Sequence, residues 1–206
     1  MADEMADRTL TPTHPLADRR RLLAAVADET AGAVRLELEA PVAAVDLRLD
    51  PRGTGPAAIA ADLGAELPSE PDTWTAHPTG TALRLGPDEW LLTSTAARPE
   101  DWEFHLDEVA VAHGGMAVDV SAQRTSLRVR GAARELLSFG CALDLRPAAF
   151  PRGRCAQTLL GQSGVLLAAG LDGDVDDLQI LVRPSFAAYV ADLLVDAAAE
   201  LVPQPA

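Results

Sequence analysis

Two hairpin patterns, one in each half of the chain, constrain the fold more than any other feature of the sequence. The first joins the apolar runs Leu83–Leu85 and Trp90–Leu92 through a Gly-Pro-Asp turn. The second joins Thr158–Leu160 and Val165–Leu167 through a turn that contains two glycines. Because tight turns join antiparallel strands, whereas parallel strands need long crossovers, the pattern predicts antiparallel sheets. It disfavours a doubly wound nucleotide-binding fold.

The segments around the hairpins repeat at an offset of about 75 to 80 residues, with Leu47–Leu49 corresponding to Leu127–Val129 and Gly64 to Gly140. We therefore expect an α+β protein with two related lobes of antiparallel sheet and helices. The predicted division places a mobile N-terminal tail and a short helix in residues 1–33. The first lobe then covers residues 34–115 and the second covers residues 116–206.

Periodicity and turn signals predict the individual elements. Alternating apolar residues predict strands at Val34–Leu38 and Val45–Leu49, extended structure over Ala117–Arg130 and a strand at Leu178–Val182. Residues Leu67–Pro78 read as a proline-rich loop. Helices are predicted at Asp18–Glu29, Ala57–Leu63, Glu100–His113, Gly131–Phe139 and Ser185–Leu201.

The charged residues exclude several classes of function. All 17 basic residues are arginine, so Schiff-base chemistry and a P-loop lysine are impossible. A formal net charge of −14 disfavours nucleic acid and anionic lipid as partners. No apolar run reaches the roughly 20 residues of a membrane span, and the acidic start Met1–Arg8 does not resemble a signal peptide. We expect a cytoplasmic chain that does not associate with membranes.

The sign of the charge reverses between Arg124 and Arg154. Seven arginines lie in this segment against only two acids, Glu135 and Asp144. Two interpretations remain open: the arginines pair with acids elsewhere in the chain, or they form a contact surface, because guanidinium is the preferred cation for interface ion pairs. Trp90 in the first hairpin and four of these arginines are the candidate interface residues: Arg124, Arg146, Arg152 and Arg154.

Known catalytic and metal-binding patterns match poorly. Ser163 lies in a hairpin turn and not on a G-x-S-x-G elbow, and His105 and His113 alone make a weak zinc site. The acids of Asp172–Asp177 lack the glycine and glutamate of a calcium loop and are better read as a solvated turn. Two cysteines, Cys141 and Cys155, are too few for a disulfide scaffold and are expected to be small core or surface residues or, alternatively, a reactive thiol.

Four segments together resemble the gamma subunit family of heterotetrameric bacterial sarcosine oxidase. In chain order they are Leu85–Leu92, Val118–Thr125, Gly140–Phe150 and Arg183–Tyr189. Parts of them also resemble the folate-binding domains of aminomethyltransferases. The resemblance covers the chain from about residue 36 to residue 201.

This resemblance implies two α+β lobes that can exchange strands. It also implies a non-catalytic gamma subunit, with alpha, beta and delta subunits as partners, in an oxidoreductase that demethylates sarcosine to glycine. The reaction would form hydrogen peroxide and 5,10-methylenetetrahydrofolate. FAD, FMN, NAD, tetrahydrofolate and zinc would be held by the other subunits, and by none of the residues of this chain alone.

Two alternatives belong to other functional classes. The chain could be a stand-alone folate-binding or aminomethyl-transfer module, in which Asp119 would contact the pterin and arginines would hold the glutamate tail. It could also be a regulatory adaptor that uses the arginine surface for a different partner.

Overall fold

The computed structural model describes residues 14–174 and 176–203, and within them the chain forms helices and strands in an α+β arrangement. The helices are α1 (Arg20–Glu29), α2 (Gly55–Leu63), α3 (Pro99–Ala112), α4 (Ala133–Ser138) and α5 (Pro184–Ala198). The strands are β1 (Val34–Leu38), β2 (Ala43–Arg48), β3 (Trp74–His77), β4 (Gly80–Arg84), β5 (Glu89–Ser94), β6 (Met116–Asp119), β7 (Thr125–Gly131), β8 (Cys155–Leu160), β9 (Ser163–Ala169) and β10 (Leu178–Val182).

The strands form two antiparallel sheets that pack face to face, each covered by helices on its outer side. One sheet has the order β1-β7-β10-β9-β8 and the other β3-β4-β5-β2-β6. Leu83 and Leu91 of the second sheet share a buried cluster with Leu166 and Leu181 of the first. The outer faces pack against α1, α4 and α5 on one side and against α2 and α3 on the other. The result is a four-layer protein in which the inner space between the sheets lies at the centre.

The two sheets exchange strands across the middle of the chain. Strand β1 pairs with β7, so that Leu36 lies opposite Val129, and it therefore belongs to the sheet built mainly from the second half. Strand β6 pairs with β2, with Asp46 opposite Val118, in the sheet built mainly from the first half. Each half thus contributes one strand to the other sheet. The division into lobes at residues 34–115 and 116–206 stays a prediction.

Most predicted elements are confirmed. The hairpins are β4–β5 and β8–β9, the strand Leu178–Val182 has its predicted bounds, and α2 ends at Gly64, whose φ of 69° is the left-handed conformation typical of a helix C-terminus. The loop prediction for residues 67–78 is wrong in one part, because Trp74–His77 forms the edge strand β3. Prolines on both sides hid this short strand. Of the predicted N-terminal tail, residues 1–13 lie outside the described residues.

Within residues 14–174 and 176–203, every helix falls short of the length and apolar character that crossing a bilayer requires.

Both cysteine thiols are buried in the fold. Cys155 is fully buried between the sheets, and burial raises the pKa of its thiol to about 12. Cys141 lies in the cluster beneath α4 and α5. The interpretation as core residues therefore fits better than the interpretation as a reactive thiol.

This burial predicts the thiol reactivity of the folded chain. Because only the thiolate is nucleophilic, Cys155 in the native protein should not react detectably with an aromatic disulfide reagent near pH 8. Both cysteines should react once denaturant unfolds the chain. Absorbance of the released thiolate, with and without denaturant, measures this. Rapid native labelling of Cys155, located by peptide mass spectrometry, would contradict the buried position.

Candidate functional site

The arginine-rich segment separates into arginines with ion-pair partners and arginines without them. Arg128, Arg130 and Arg134 pair with acids of the turn before β10, and Arg146 pairs with Asp144, two residues away. In the part of the chain that the structure describes, no ion pair involves the other three arginines of the segment. The pairing interpretation therefore holds for the first four arginines, and the contact-surface interpretation stays a prediction.

Arg128 is the centre of a buried polar network between the sheets. Its side chain is 9% exposed, and its guanidinium donates to Glu39 Oε1 at 2.9 Å and to Asp177 Oδ2 at 3.0 Å. Glu39 also accepts hydrogen bonds from Ser126 and from Gln179 Nε2, the latter at 2.5 Å. Burial raises the pKa of Asp177, and the charge of Arg128 opposes that effect.

The interpretation of the segment Asp172–Asp177 as a solvated turn is wrong only at its last residue. Asp172, Gly173 and Asp174 are exposed. The Asp177 side chain is 2% exposed, and its carboxylate also accepts a hydrogen bond from the backbone N–H of Asp172 at 3.1 Å. The side chains of Asp172 and Asp176 reach Arg130 and Arg134, so that acids of this turn neutralise arginines of β7 and α4.

Arg124 lies in a pocket at the open end of the space between the sheets. The register that pairs Val182 with Thr125 places Arg183 opposite Arg124, one step beyond the ladder. Both arginines line a cavity of about 500 Å³, together with Leu85, Gly164, Leu166 and Phe186. We call this cavity the arginine pocket. Arg183 was not singled out by the sequence, because only the β7–β10 pairing brings it to Arg124.

Arg124 is held there without a protein partner for its Nε atom. This atom is buried and has no hydrogen-bond partner among the described residues. Burial lowers the pKa of the Arg124 guanidinium, and the positive charge of Arg183 lowers it further, while Asp46 and Glu89 act in the opposite direction. The pocket therefore combines two like charges that the described part of the chain does not neutralise by ion pairing.

The other candidate arginines lie on the surface, at the seam between the sheets or near it. Arg154 forms an isolated bridge with Thr73, and its Nη1 is 3.5 Å from the carbonyl oxygen of Pro71. Arg152 is exposed, with its aliphatic stem against Gly170. The Arg146 side chain is 82% exposed even though it pairs with Asp144. All three guanidinium groups are accessible to a partner.

Trp90 is corrected from a contact residue to a core residue. Its indole is 1% exposed, and its Nε1 donates a hydrogen bond to the carbonyl oxygen of Pro68 at 3.1 Å. The guanidinium of Arg84 lies over the ring, 5.0 Å from its centroid, and donates hydrogen bonds to the carbonyl oxygens of Ser69 and Pro87. The alternation along β5 places this side chain on the face that packs against α2 and α3. Trp90 thus stabilises the first hairpin by packing in the core beneath it.

Asp119 lies at the end of β6, where its carboxylate fixes the turn into β7. Oδ1 accepts hydrogen bonds from the backbone N–H of Ser121 at 2.9 Å and from its hydroxyl at 2.5 Å. Ser121 in turn accepts from the backbone N–H of Ala44 at 2.8 Å. Asp119 does not line the arginine pocket. Its role as a pterin contact stays a prediction.

The four histidines of the sequence all take part in local contacts. His14 Nδ1 accepts from the backbone N–H of Leu16, and His77 Nε2 is 2.9 Å from the carbonyl oxygen of Thr93. Burial lowers the pKa of His77. His105 contacts Asp62, and His113 contacts Thr54 at the end of α3. These contacts give each histidine a part in the fold.

An exposed apolar patch surrounds the β8–β9 turn and the first turns of α5. The Tyr189 hydroxyl accepts a hydrogen bond from the backbone N–H of Gln162 in this turn, and Leu159 lies opposite Gly164 in the hairpin. Its large side chains are between 41% and 60% exposed: Phe139, Leu159, Phe186 and Tyr189. We call these four residues the hairpin patch. Exposed apolar patches of this kind commonly mark contact surfaces.

Comparison with known sequences shows similarity to one family of enzyme subunits. The model of the sarcosine oxidase gamma subunit family matches residues 50–200. Sarcosine oxidase subunit gamma of Corynebacterium sp. (strain U-96) is 37% identical over 206 residues, covering 96% of this chain and 95% of the relative. The corresponding subunit of an Arthrobacter species is 37% identical over 175 residues, covering 83% of each chain.

Solved structures agree with the sequence comparison. A chain of the heterotetrameric sarcosine oxidase from Corynebacterium sp. U-96, in complex with pyrrole 2-carboxylate, matches with a TM-score of 0.83 and 31% identity, covering 95% of this chain and 98% of the other. Aminomethyltransferase T of the Bartonella henselae glycine cleavage system matches with a TM-score of 0.66 and 14% identity, covering 91% and 60%. The second match shows a shared fold, which confirms the predicted fold class.

Proposed function

We propose, since the chain belongs to the sarcosine oxidase gamma subunit family, that it is the non-catalytic small subunit of a heterotetrameric sarcosine oxidase. The observation that carries this proposal is the end-to-end likeness to one chain of such an enzyme, with a TM-score of 0.83 over 95% of this chain. The aminomethyltransferase likeness supports only the fold.

The reaction proposed for the assembled enzyme is the oxidative demethylation of sarcosine. Sarcosine is converted to glycine, oxygen is reduced to hydrogen peroxide, and the one-carbon unit forms 5,10-methylenetetrahydrofolate. The alpha, beta and delta subunits are the proposed partners, and FAD, FMN, NAD, tetrahydrofolate and zinc are assigned to them. The proposed location is the cytoplasm.

The distribution of polar groups supports a structural role for this chain within the complex. Arg128, Glu39 and Asp177 satisfy one another inside the fold, and the histidines are engaged in local contacts. By contrast, the hairpin patch and the guanidinium groups of Arg146, Arg152 and Arg154 face outward. Exposed aromatic and arginine side chains are the types enriched at protein interfaces. We propose these outward groups as the contacts with the larger subunits.

Substitution of three arginines tests the proposed contact surface. Replacing Arg146, Arg152 and Arg154 together with alanine should raise the dissociation constant for the flavin-bearing subunits by about tenfold or more, because interface arginines often contribute over 1 kcal/mol each. The free energy of unfolding of the isolated chain should change little. Surface plasmon resonance measures the first quantity and denaturant unfolding the second.

The matched control removes three positive charges elsewhere on the surface. Arg20, Arg21 and Arg52 are exposed, so their joint replacement with alanine changes the net charge equally. If both triple variants weaken assembly to the same extent, the effect reflects overall charge and the proposed surface is wrong.

Purification from the native cell tests the function itself. A tagged chain should bring down larger subunits with flavin absorbance, and the complex should consume oxygen when sarcosine is added. Purification of a colourless chain without partners would overturn the subunit proposal. Calorimetry with tetrahydrofolate on that chain would then separate a folate-binding module from an adaptor.

A further inference from the structure

The arginine pocket has features that the subunit role leaves unexplained. Arg124 and Arg183 converge on it, whereas Arg128, Arg130 and Arg134 of the same region are neutralised by acids of the turn before β10. Two guanidinium groups on adjacent strand ends repel each other. Holding them together is unfavourable, because no salt bridge from the described residues neutralises them and only the charges of Asp46 and Glu89 act on Arg124 from a greater distance. An anion bound between them would relieve the repulsion.

Arg124 and Arg183 line a cavity of suitable size. Arg124 Nε is buried and has no hydrogen-bond partner among the described residues. A buried donor that makes no hydrogen bond lowers the free energy of unfolding. The cavity volume of about 500 Å³ lies within the range of small-molecule sites. A single side chain from another protein would fill only part of it.

The lining divides the cavity into a charged end and a neutral end. Arg124 and Arg183 supply the charge, while Gln157 and Thr158 supply neutral hydrogen-bonding groups, and Leu85 and Phe186 supply apolar walls. Arg183 precedes α5 directly, so the positive end of that helix dipole adds to the field of the two guanidinium groups. This arrangement suits a ligand with one anionic group and a short neutral or weakly polar body.

We propose that the arginine pocket binds a small organic acid, whose carboxylate lies between Arg124 and Arg183. Planar guanidinium groups match the geometry of a carboxylate and can bind it through paired hydrogen bonds. The negative charges of Asp46 and Glu89 also act on Arg124, which favours a singly charged group over a phosphate dianion. This inference concerns the chain itself and does not depend on its assembly into an oxidase.

Nuclear magnetic resonance of the full chain tests the site directly. In a ¹⁵N-labelled sample, the Nε–H resonance of Arg124 is identified by its loss in Arg124→Gln. Titration with butyrate, a monocarboxylate with a short apolar body, should shift it in a saturable manner, with a dissociation constant on the order of 1 mM or below. Sodium chloride at matched ionic strength should leave it nearly unchanged. Inorganic phosphate should bind more weakly than butyrate.

Two variants distinguish the pocket from general charge effects. Arg183→Gln should weaken butyrate binding about ten- to hundredfold, since it removes charge-assisted hydrogen bonds. Gly164→Leu should abolish binding with both arginines intact. A Cβ at this position meets nothing within 4 Å, and strand alternation directs it to the same face as the pocket residue Leu166.

The control is Arg52→Gln, which removes a side chain that is 91% exposed and should leave binding unchanged. The proposal is overturned if the Arg124 resonance responds to butyrate only as it does to chloride, or if butyrate binds Gly164→Leu as tightly as the unchanged chain. Tighter binding of phosphate than of butyrate would overturn the choice of a singly charged carboxylate. Because none of these measurements involves the other subunits, their failure leaves the proposed function untouched.

Discussion

Replacing Arg128 with methionine is expected to lower the free energy of unfolding by about 3–5 kcal/mol, the cost of breaking a buried ion pair from one side. The substitution leaves the carboxylates of Glu39 and Asp177 between the sheets without their shared cation. Methionine is close to arginine in length, so the loss reflects charge more than cavity formation. Urea unfolding at neutral pH, followed by circular dichroism, measures it.

The pH dependence of this loss identifies its electrostatic origin. Without Arg128, the pKa of Asp177 in the folded chain should rise further above its unfolded value. The folded variant then binds more protons than the unfolded chain, so its stability falls as pH rises. The difference in free energy of unfolding between this variant and the unchanged chain should therefore become smaller as the pH is lowered from about 7 to about 4.5.

Two further variants complete the comparison. Arg130→Met removes a neighbouring arginine whose side chain is 40% exposed, and it should cost no more than about 1 kcal/mol. Adding Asp177→Asn to Arg128→Met should recover part of the stability, because it removes one of the two stranded charges. An Arg128→Met variant that loses no more than Arg130→Met would show that the network contributes little.

Replacing Trp90 with alanine is the second change with a large expected effect, about 3–5 kcal/mol of lost stability. The indole fills the core beneath the first hairpin, and its removal leaves a cavity bordered by Leu47 and Leu92. It also leaves the Pro68 carbonyl without its hydrogen bond and removes the ring beneath Arg84. Thermal and urea unfolding measure the loss.

A surface aromatic residue provides the control for Trp90. Phe104→Ala on α3 removes a ring that is 64% exposed, and it should change the free energy of unfolding by less than about 0.5 kcal/mol. Trp90→Phe should retain assembly with the larger subunits, because the indole does not reach the surface. If Trp90→Phe abolished assembly while keeping the fold stable, the placement of this residue in the core would be contradicted.

The candidate site shows where prediction from sequence stopped. Arg124, Arg152 and Arg154 were identified from the local charge reversal, and the structure leaves them without ion pairs in the described part of the chain. The charge reversal did not identify Arg183 as the neighbour of Arg124, because Arg183 lies 59 residues away and outside the arginine-rich segment. Trp90 was proposed as a contact residue because it belongs to the first hairpin, which lies in a segment of the family resemblance, although its side chain faces the core.

The sequence by itself determined the local elements and the family. Glycine positions ended helices, Gly-Pro-Asp and glycine turns fixed both hairpins, and alternation marked strands such as Leu178–Val182, because these features depend on backbone conformations that a few adjacent residues set. Only the tertiary structure decided which strands exchange sheets, that Trp74–His77 joins an edge, and which arginines are neutralised. Arg128 and Asp177 are 49 residues apart in sequence, and their pairing follows from how the sheets pack. No local pattern encodes such long-range contacts, since packing of the whole chain selects them.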